Sequence, residues 1–207
     1  MLPGFYPATS MPDPVWWRVL WPQPEQVLAA VGIRAGVDTI VDLCCGDGLF
    51  TAALARLARR VVAIDLDPEM LERARSKLAA AGMTNCDFIT GDAHHLADLV
   101  RGPADAVLIA NTLHGVPEKV QLARAIASTL KPGGDFIVIN WHRRPRQETP
   151  VLGLPRGPKT ELRMEPADVV AAAEPAGFEL ARIVELPPYH YAAVLMTPPP
   201  HRTAPTE

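Results

Sequence analysis

The sequence predicts an α/β fold: a doubly wound, mostly parallel sheet of seven strands that closes with an antiparallel hairpin. Three observations predict it. Short apolar runs alternate with helical patterns from residue 37 to about residue 140, as parallel strands with helices on both faces require. The run Ile40-Val41-Asp42-Leu43-Cys44-Cys45-Gly46-Asp47-Gly48-Leu49-Phe50-Thr51 carries an apolar strand through an acid and a glycine-containing turn into an Ala-rich helix. Near the C-terminus, runs at 178–186 and 191–196 are joined only by Pro187-Pro188-Tyr189-His190, a link short enough for an antiparallel return.

Residues 1–36 form an N-terminal cap, in which Trp16, Trp17 and Trp21 crowd around Val15, Val19 and Leu20 ahead of a short amphipathic helix at 25–31. Residues 37–141 are the core. Its second strand, Arg60-Val61-Val62-Ala63-Ile64-Asp65, reads as a buried parallel strand, and Pro68-Glu69-Met70-Leu71 opens the next helix with proline and acid in its first turn. A third strand at 86–90 runs into Gly91-Asp92-Ala93, a fourth at 104–110 ends at Asn111, and a fifth follows Leu130-Lys131-Pro132-Gly133-Gly134. Residues 142–164 read as loop, 166–176 as a helix stopped by Gly177, and 198–207 as a Pro-rich, frayed tail. One domain accommodates all of this in 207 residues at 48% apolar content.

The turn after the first strand narrows the ligand. A dinucleotide site needs a third glycine where this chain has Thr51, and a phosphate-cradling loop needs Gly-Lys-Ser/Thr where it has Gly48-Leu49-Phe50. The polar strand ends suit an adenosine-bearing ligand without a polyphosphate. Asp65, 23 residues after Asp42, is placed to accept hydrogen bonds from both ribose hydroxyls, and a carboxylate at Asp92 to accept the adenine amino hydrogen.

The ordered motifs VDLCCGDG, VVAIDLDPEML, FITGDAH, ADAVLIANTLH and LKPGGDFIVINWH, covering roughly residues 37–197, resemble the class I S-adenosylmethionine (SAM)-dependent methyltransferases. The likeness is to their small-molecule, ubiquinone/menaquinone-biosynthesis branch. That resemblance implies a Rossmann-like fold, SAM as cofactor and S-adenosylhomocysteine as product. It carries Asp42, Cys44, Gly46, Gly48, Asp65, Leu66, Asp92, Ala93 and Asn111 onto the cofactor site. Gly46 and Gly48 then border the methionine moiety, Asp65 the ribose, Asp92 and Ala93 the adenine, and Asn111 the methyl donor. Cys44 departs from the pattern, standing where the family usually has its first glycine, so the turn must tolerate a side chain there.

Composition limits the alternatives. A net charge of −3 gives no global attraction to nucleic acid, and no nucleic-acid partner is expected. No run reaches the roughly 18 apolar residues of a membrane span, and the N-terminus, with Pro3, Pro7, Pro12 and Pro14, has no signal-peptide pattern, so a cytoplasmic location is expected. Cys44, Cys45 and Cys86 fit neither a disulfide framework nor a metal pair, and the adjacent His94-His95 lack further ligands, so no metal is expected. Cys45, beside a helix start, invites a lowered thiol pKa. After the fourth strand the chain reads Asn111-Thr112-Leu113-His114, without the Asn/Asp-Pro-Pro-Tyr/Phe motif of amino-group methylation. A nucleic-acid or protein methyltransferase and a non-catalytic SAM-binding regulator are the alternatives.

On the acceptor side, His114, His142 and His190 are the candidate bases, all expected to overhang one rim, with Tyr189 available to hold substrate. Between Trp141 and Arg163, six basic residues (Arg143, Arg144, Arg146, Arg156, Lys159, Arg163) stand against Glu148 and Glu161, a net +4. Such a basic lid favours an anionic or polar acceptor, whereas the Trp-rich cap argues for an apolar one.

Overall fold

The computed structural model describes Tyr6 and residues 9–198; Pro3, Pro7 and the tail beyond 198 lie outside the described residues. Its main sheet has seven strands: β1 (Val37–Leu43), β2 (Ala58–Asp65), β3 (Cys86–Thr90), β4 (Ala104–Ala110), β5 (Leu130–Trp141), β8 (Glu179–Leu186) and β9 (His190–Met196). A separate two-stranded hairpin pairs β6 (Pro150–Val151) with β7 (Leu154–Pro155). The order across the main sheet is β3-β2-β1-β4-β5-β9-β8, parallel except at β9, which runs antiparallel to both neighbours. The closing hairpin therefore inserts β9 beside β5 and leaves β8 as the edge.

Helices cover both faces because the central strands are apolar on both. One face packs Leu96, Leu122, Ile126 and Val169 from α5 (Leu96–Leu99), α6 (Lys119–Thr129) and α7 (Pro166–Ala173) against Leu43, Val62, Val107 and Val138. The other packs α1 (Pro14–Leu20), α2 (Pro24–Ala30), α3 (Leu49–Leu54) and α4 (Pro68–Ala80) against Ile40, Val61, Leu108 and Ile137. Burying a side chain of this size contributes about 1.5–3 kcal/mol.

Helix α1 is absent from the sequence-based reading, which treated the Trp-rich segment only as a cap. Its start is nevertheless written in the sequence: Asp13 accepts a hydrogen bond from the Val15 amide at 2.8 Å, and Pro14 occupies the first helical position. Helix α4 starts the same way, with Asp67 accepting from the Glu69 amide ahead of Pro68. In β5, Pro132-Gly133-Gly134 bulges out, and pairing with β4 jumps from Ala104↔Leu130 to Ala106↔Asp135.

Gly48 shows how tightly the first turn is fixed. Its φ is +79°, and a Cβ added there would lie 2.7 Å from the Cβ of Ala74 on α4. Gly82, just after α4, has φ +71° and open space around it. Gly82→Ala therefore meets backbone strain alone, about 1 kcal/mol, while Gly48→Ala adds overpacking of roughly 1–3 kcal/mol. Thermal or urea unfolding of the two variants should show the larger loss at Gly48; equal losses would contradict the packing.

Candidate active site

A parallel sheet of this order leaves a crevice where β1 and β4 are neighbours but their following segments diverge to opposite faces. A cavity of about 910 Å³ opens there, walled by the ends of β1, β2, β4 and β5 and roofed by residues of the N-terminal segment and of 146–159. It falls in the size range of sites for small ligands.

The acidic side is built first. Asp65 ends β2, and its carboxylate accepts from the Gly46 amide at 2.8 Å and the Asp67 amide at 2.9 Å, each through a different oxygen. Each oxygen keeps a second lone pair for a ligand hydroxyl. Asp42 lies buried one strand over and accepts from the Thr51 hydroxyl at 2.6 Å. Thr51 is thus more than a missing glycine, since its side chain ties the start of α3 back to β1. Burial pushes the Asp42 carboxyl up to about 7, against the Thr51 hydrogen bond and with a smaller push from Asp65. Burial also raises Asp65, opposed by the Asp67 and Gly46 amides.

Cys44 fills the position of the usual glycine by adopting its conformation, with φ +58°. A side chain held there costs on the order of 1–3 kcal/mol. The expected lowering of the Cys45 thiol is reversed: burial, then Asp42 and Asp65, push it up, and burial raises Cys44 as well. A helix of six residues, with the Asp42 and Asp65 carboxylates nearby, cannot stabilise a thiolate.

Cys44, Gly46, Leu66, Ala93 and Asn111 also line the cavity. Asn111 has φ +59°, and among the described residues neither its Nδ2 nor its Oδ1, both buried, has a hydrogen-bond partner. Two carried-over residues stand elsewhere. Gly48 faces Ala74 and is absent from the cavity wall, so its small size serves the packing of α4. Asp92 is likewise off the wall, between Gly91 and Ala93, which are on it. Its Oδ1 caps the following turn through the His94 amide at 2.9 Å and accepts from the Tyr6 hydroxyl at 2.9 Å.

The three histidines do not share a rim. His114 lies in the turn after β4, is largely buried and lines the cavity. His190 is 2% exposed within the sheet, its ring 4.2 Å from Trp141 and 4.6 Å from Trp21. Burial drives its pKa well below the ordinary value, so it is a neutral core residue. Its place on β9 directly opposite Trp141 of β5 turns it inward, which the reading of Pro187-Pro188-Tyr189-His190 as the link, with His190 overhanging the rim, did not anticipate. His142 points instead to Glu185, at 2.9 Å. Tyr189 stacks on Trp141 and donates to the Pro150 carbonyl at 2.8 Å, fastening the small hairpin to the sheet. None of these last three lines the cavity.

Residues 142–164 are not plain loop. Arg163, 1% exposed, reaches into the segment and donates to the carbonyls of Pro158 (3.2 Å), Arg144 (3.0 Å) and Arg156 (2.9 Å) and to the Thr149 hydroxyl (2.9 Å). Its guanidinium lies over the Trp141 ring at 4.9 Å, and burial brings its pKa down to about 10. The segment so folded sets Arg146, Arg156 and Lys159 on the cavity wall, facing Trp16 and Trp17 of α1. Sequence reasoning missed Tyr6, Met11, Phe50 and Met70, which also line the cavity. Their spacing carries no motif, because three different elements bring them in.

Comparison with known proteins agrees with this geometry. The methyltransferase domain family matches residues 40–134. The ubiquinone biosynthesis O-methyltransferase of Xanthomonas axonopodis pv. citri is 34% identical over 139 residues, covering 63% of this chain and 57% of that protein. The corresponding protein of Xanthomonas campestris pv. campestris (strain B100) is 33% identical over 140 residues, with the same coverage. The chain thus spans little more than half the length of these curated relatives. The crystal structure of a SAM-dependent methyltransferase from Aquifex aeolicus superposes with a TM-score of 0.74 at 25% identity, covering 89% of this chain and 93% of that one. The N-methyltransferase NodS from Bradyrhizobium japonicum shares the fold, with a TM-score of 0.67 at 16% identity over 92% of this chain and 95% of its own. Strand order, the turn after β1 and these likenesses lead to one conclusion: residues 40–134 match the methyltransferase domain, and the chain has the fold of SAM-dependent methyltransferases.

Proposed function

We propose that the protein transfers the methyl group of SAM to a small-molecule acceptor, releasing S-adenosylhomocysteine. The observation that carries this reading is Asp65: a carboxylate at the end of β2, locked to the Gly46 amide of the β1 turn and facing the cavity with lone pairs to spare. That is where a ribose diol would be held. Asn111, one strand beyond β1, offers an unpartnered amide to the donor's polar end. The cavity has room for SAM and one further small molecule, which favours a small acceptor over a macromolecule. The free cysteines suit a reducing, cytoplasmic setting, and among the described residues no helix is long and apolar enough to cross a membrane.

The reaction is an in-line displacement. The acceptor atom attacks the methyl carbon, the carbon–sulfur bond breaks with its electron pair passing to sulfur, and the acceptor loses a proton if it carried one. SAM supplies the activated methyl group; the protein aligns donor and acceptor and excludes water. His114 is the base we assign, because among the four acceptor-side candidates it alone lines the cavity.

Three outcomes test this. Asp65→Ala should weaken S-adenosylhomocysteine binding by roughly 100-fold in calorimetry, as expected for loss of hydrogen bonds to a charged acceptor; unchanged affinity would remove the cofactor assignment. With a phenolic acceptor, His114→Gln should lower kcat by about 100-fold or more and leave S-adenosylhomocysteine affinity within about twofold. A kcat close to that of the unmodified protein would clear His114 of the role.

The third concerns pH. The folded protein holds the Asp42 proton up to about pH 7, whereas the unfolded chain releases it near 3.8. The stabilisation from that proton is fully present below about pH 4 and is lost as pH rises through about 7. The cofactor-free protein should therefore lose thermal stability between about pH 4 and 7, with Asp42→Asn flattening the slope. A cationic sulfonium and ammonium in the crevice favour the ionised carboxylates, so saturating SAM should flatten it as well. A slope that neither change reduces would exclude Asp42 as its source.

A further inference from the structure

The cavity wall changes sign along the sheet. Asp65 closes β2, Asp42 and Cys44 lie at the end of β1, Asn111 follows β4, and Trp141 closes β5. Strands lie about 4.8 Å apart, so the ends of β2 and β5 are separated by about 14 Å. The carboxylates of Asp42, Asp47, Asp65 and Asp67, against the cation Arg73 of α4, gather at one end, and beyond Trp141 the wall is formed by Arg146, Arg156 and Lys159. Asp13, the cap of α1, is the acid that the covering elements add.

The basic end is built rather than merely solvated. Arg156 has its amide on the Thr149 carbonyl at 3.1 Å, and its own carbonyl accepts from Arg163 at 2.9 Å and from the Thr149 hydroxyl at 3.0 Å. Its guanidinium lies 5.2 Å from the Trp16 ring centroid, and its buried Nε has no partner among the described residues. Arg146 donates to the Gly157 carbonyl at 3.0 Å, which holds it beside Arg156. Gly157 itself lies against Trp141, where a Cβ would come within 2.8 Å of the ring. Two arginines fixed side by side, one with an open buried donor, form a receptor for a planar anion. The walls between the two ends are apolar and aromatic: Trp16, Trp17, Phe50 and Trp141.

We infer that the acceptor is an aromatic carboxylic acid, its ring held among these tryptophans and its carboxylate taken by Arg146 and Arg156. The assignment rests on the methyl-transfer reading of the same cavity and names its substrate class. It reconciles the apolar cap with the basic lid, because the two bind different parts of one molecule. Lys159 adds charge to the same end without a fixed geometry.

The test uses three matched pairs of probes, each an aromatic acid and its neutral amide: benzoate and benzamide, 3,4-dihydroxybenzoate and 3,4-dihydroxybenzamide, 2-naphthoate and 2-naphthamide. Binding is measured by calorimetry with and without S-adenosylhomocysteine. At least one acid should bind about tenfold or more tightly than its amide, with the advantage shrinking as salt rises. Arg146→Gln/Arg156→Gln should abolish the preference while S-adenosylhomocysteine affinity stays unchanged. Arg59→Gln, at the opposite end of the strands, should keep it. No preference in any pair, or one that survives the double substitution, overturns the inference. Loss of S-adenosylhomocysteine binding by the unmodified protein would instead overturn the cofactor reading, and the acid-over-amide comparison without cofactor would still decide this one.

Discussion

The adjacency of β1 and β4 is the constraint on which the rest depends. Parallel strands must be joined by crossovers, and a right-handed crossover sends the chain to one face or the other. Where the direction of winding reverses, two strand ends stand side by side with nothing over them. The unroofed gap receives the carboxylates of β1 and β2 and the amide after β4, so the chemistry of the site follows from a topological choice. Asp42 is tolerated at the heart of the sheet only because Thr51 bonds to it and because it can hold its proton.

A second constraint acts on the other half. An open gap serves for binding a cofactor but not for aligning it with an acceptor out of water. Half of the roof, residues 146–159, has little apolar surface of its own, and Arg163 compensates by satisfying its backbone carbonyls from the inside. A buried guanidinium bonded to neutral acceptors is costly in isolation, yet its five donors can gather a winding chain that no strand or helix would hold. Trp141 takes part in both halves: the end of β5, a platform for Gly157, Tyr189 and Arg163, and a wall of the cavity.

Much of the fold was legible because apolar runs and turn residues are local signals. The limits of β3 and β4 follow the apolar runs, Gly177 ends the helical stretch after Pro166, and the hairpin of β8 and β9 follows from the short link between them. Helix α1 escaped notice because a seven-residue helix with two tryptophans looks like apolar clutter unless Asp13-Pro14 is read as a cap. On the cofactor side, Asp42, Cys44, Gly46, Asp65, Leu66, Ala93 and Asn111 line the cavity, whereas Gly48 lies against α4 and Asp92 caps the turn after β3, both off its wall. The acceptor side was far less legible. A histidine's direction depends on strand parity or on the local turn: His190 on β9, paired with Trp141, faces the core, while His114, in the turn after β4, lines the cavity. The order in residues 142–164 comes from one long-range arginine, which leaves no periodic trace.

The cavity's walls also come from parts of the chain far apart in sequence. All the residues of the carboxylate side and its strand ends have been synthesised once Asn111 has, but the opposite side waits for Trp141, for the segment up to Lys159, and for Arg163 to gather it. The N-terminal helix emerges before them, but its contacts with β6, about 130 positions away, wait for those late residues. Contacts of that separation form last in folding. During synthesis the protein therefore passes from a half-site to a whole one, and the chamber in which acceptor and donor could meet is the final part of the molecule to be assembled.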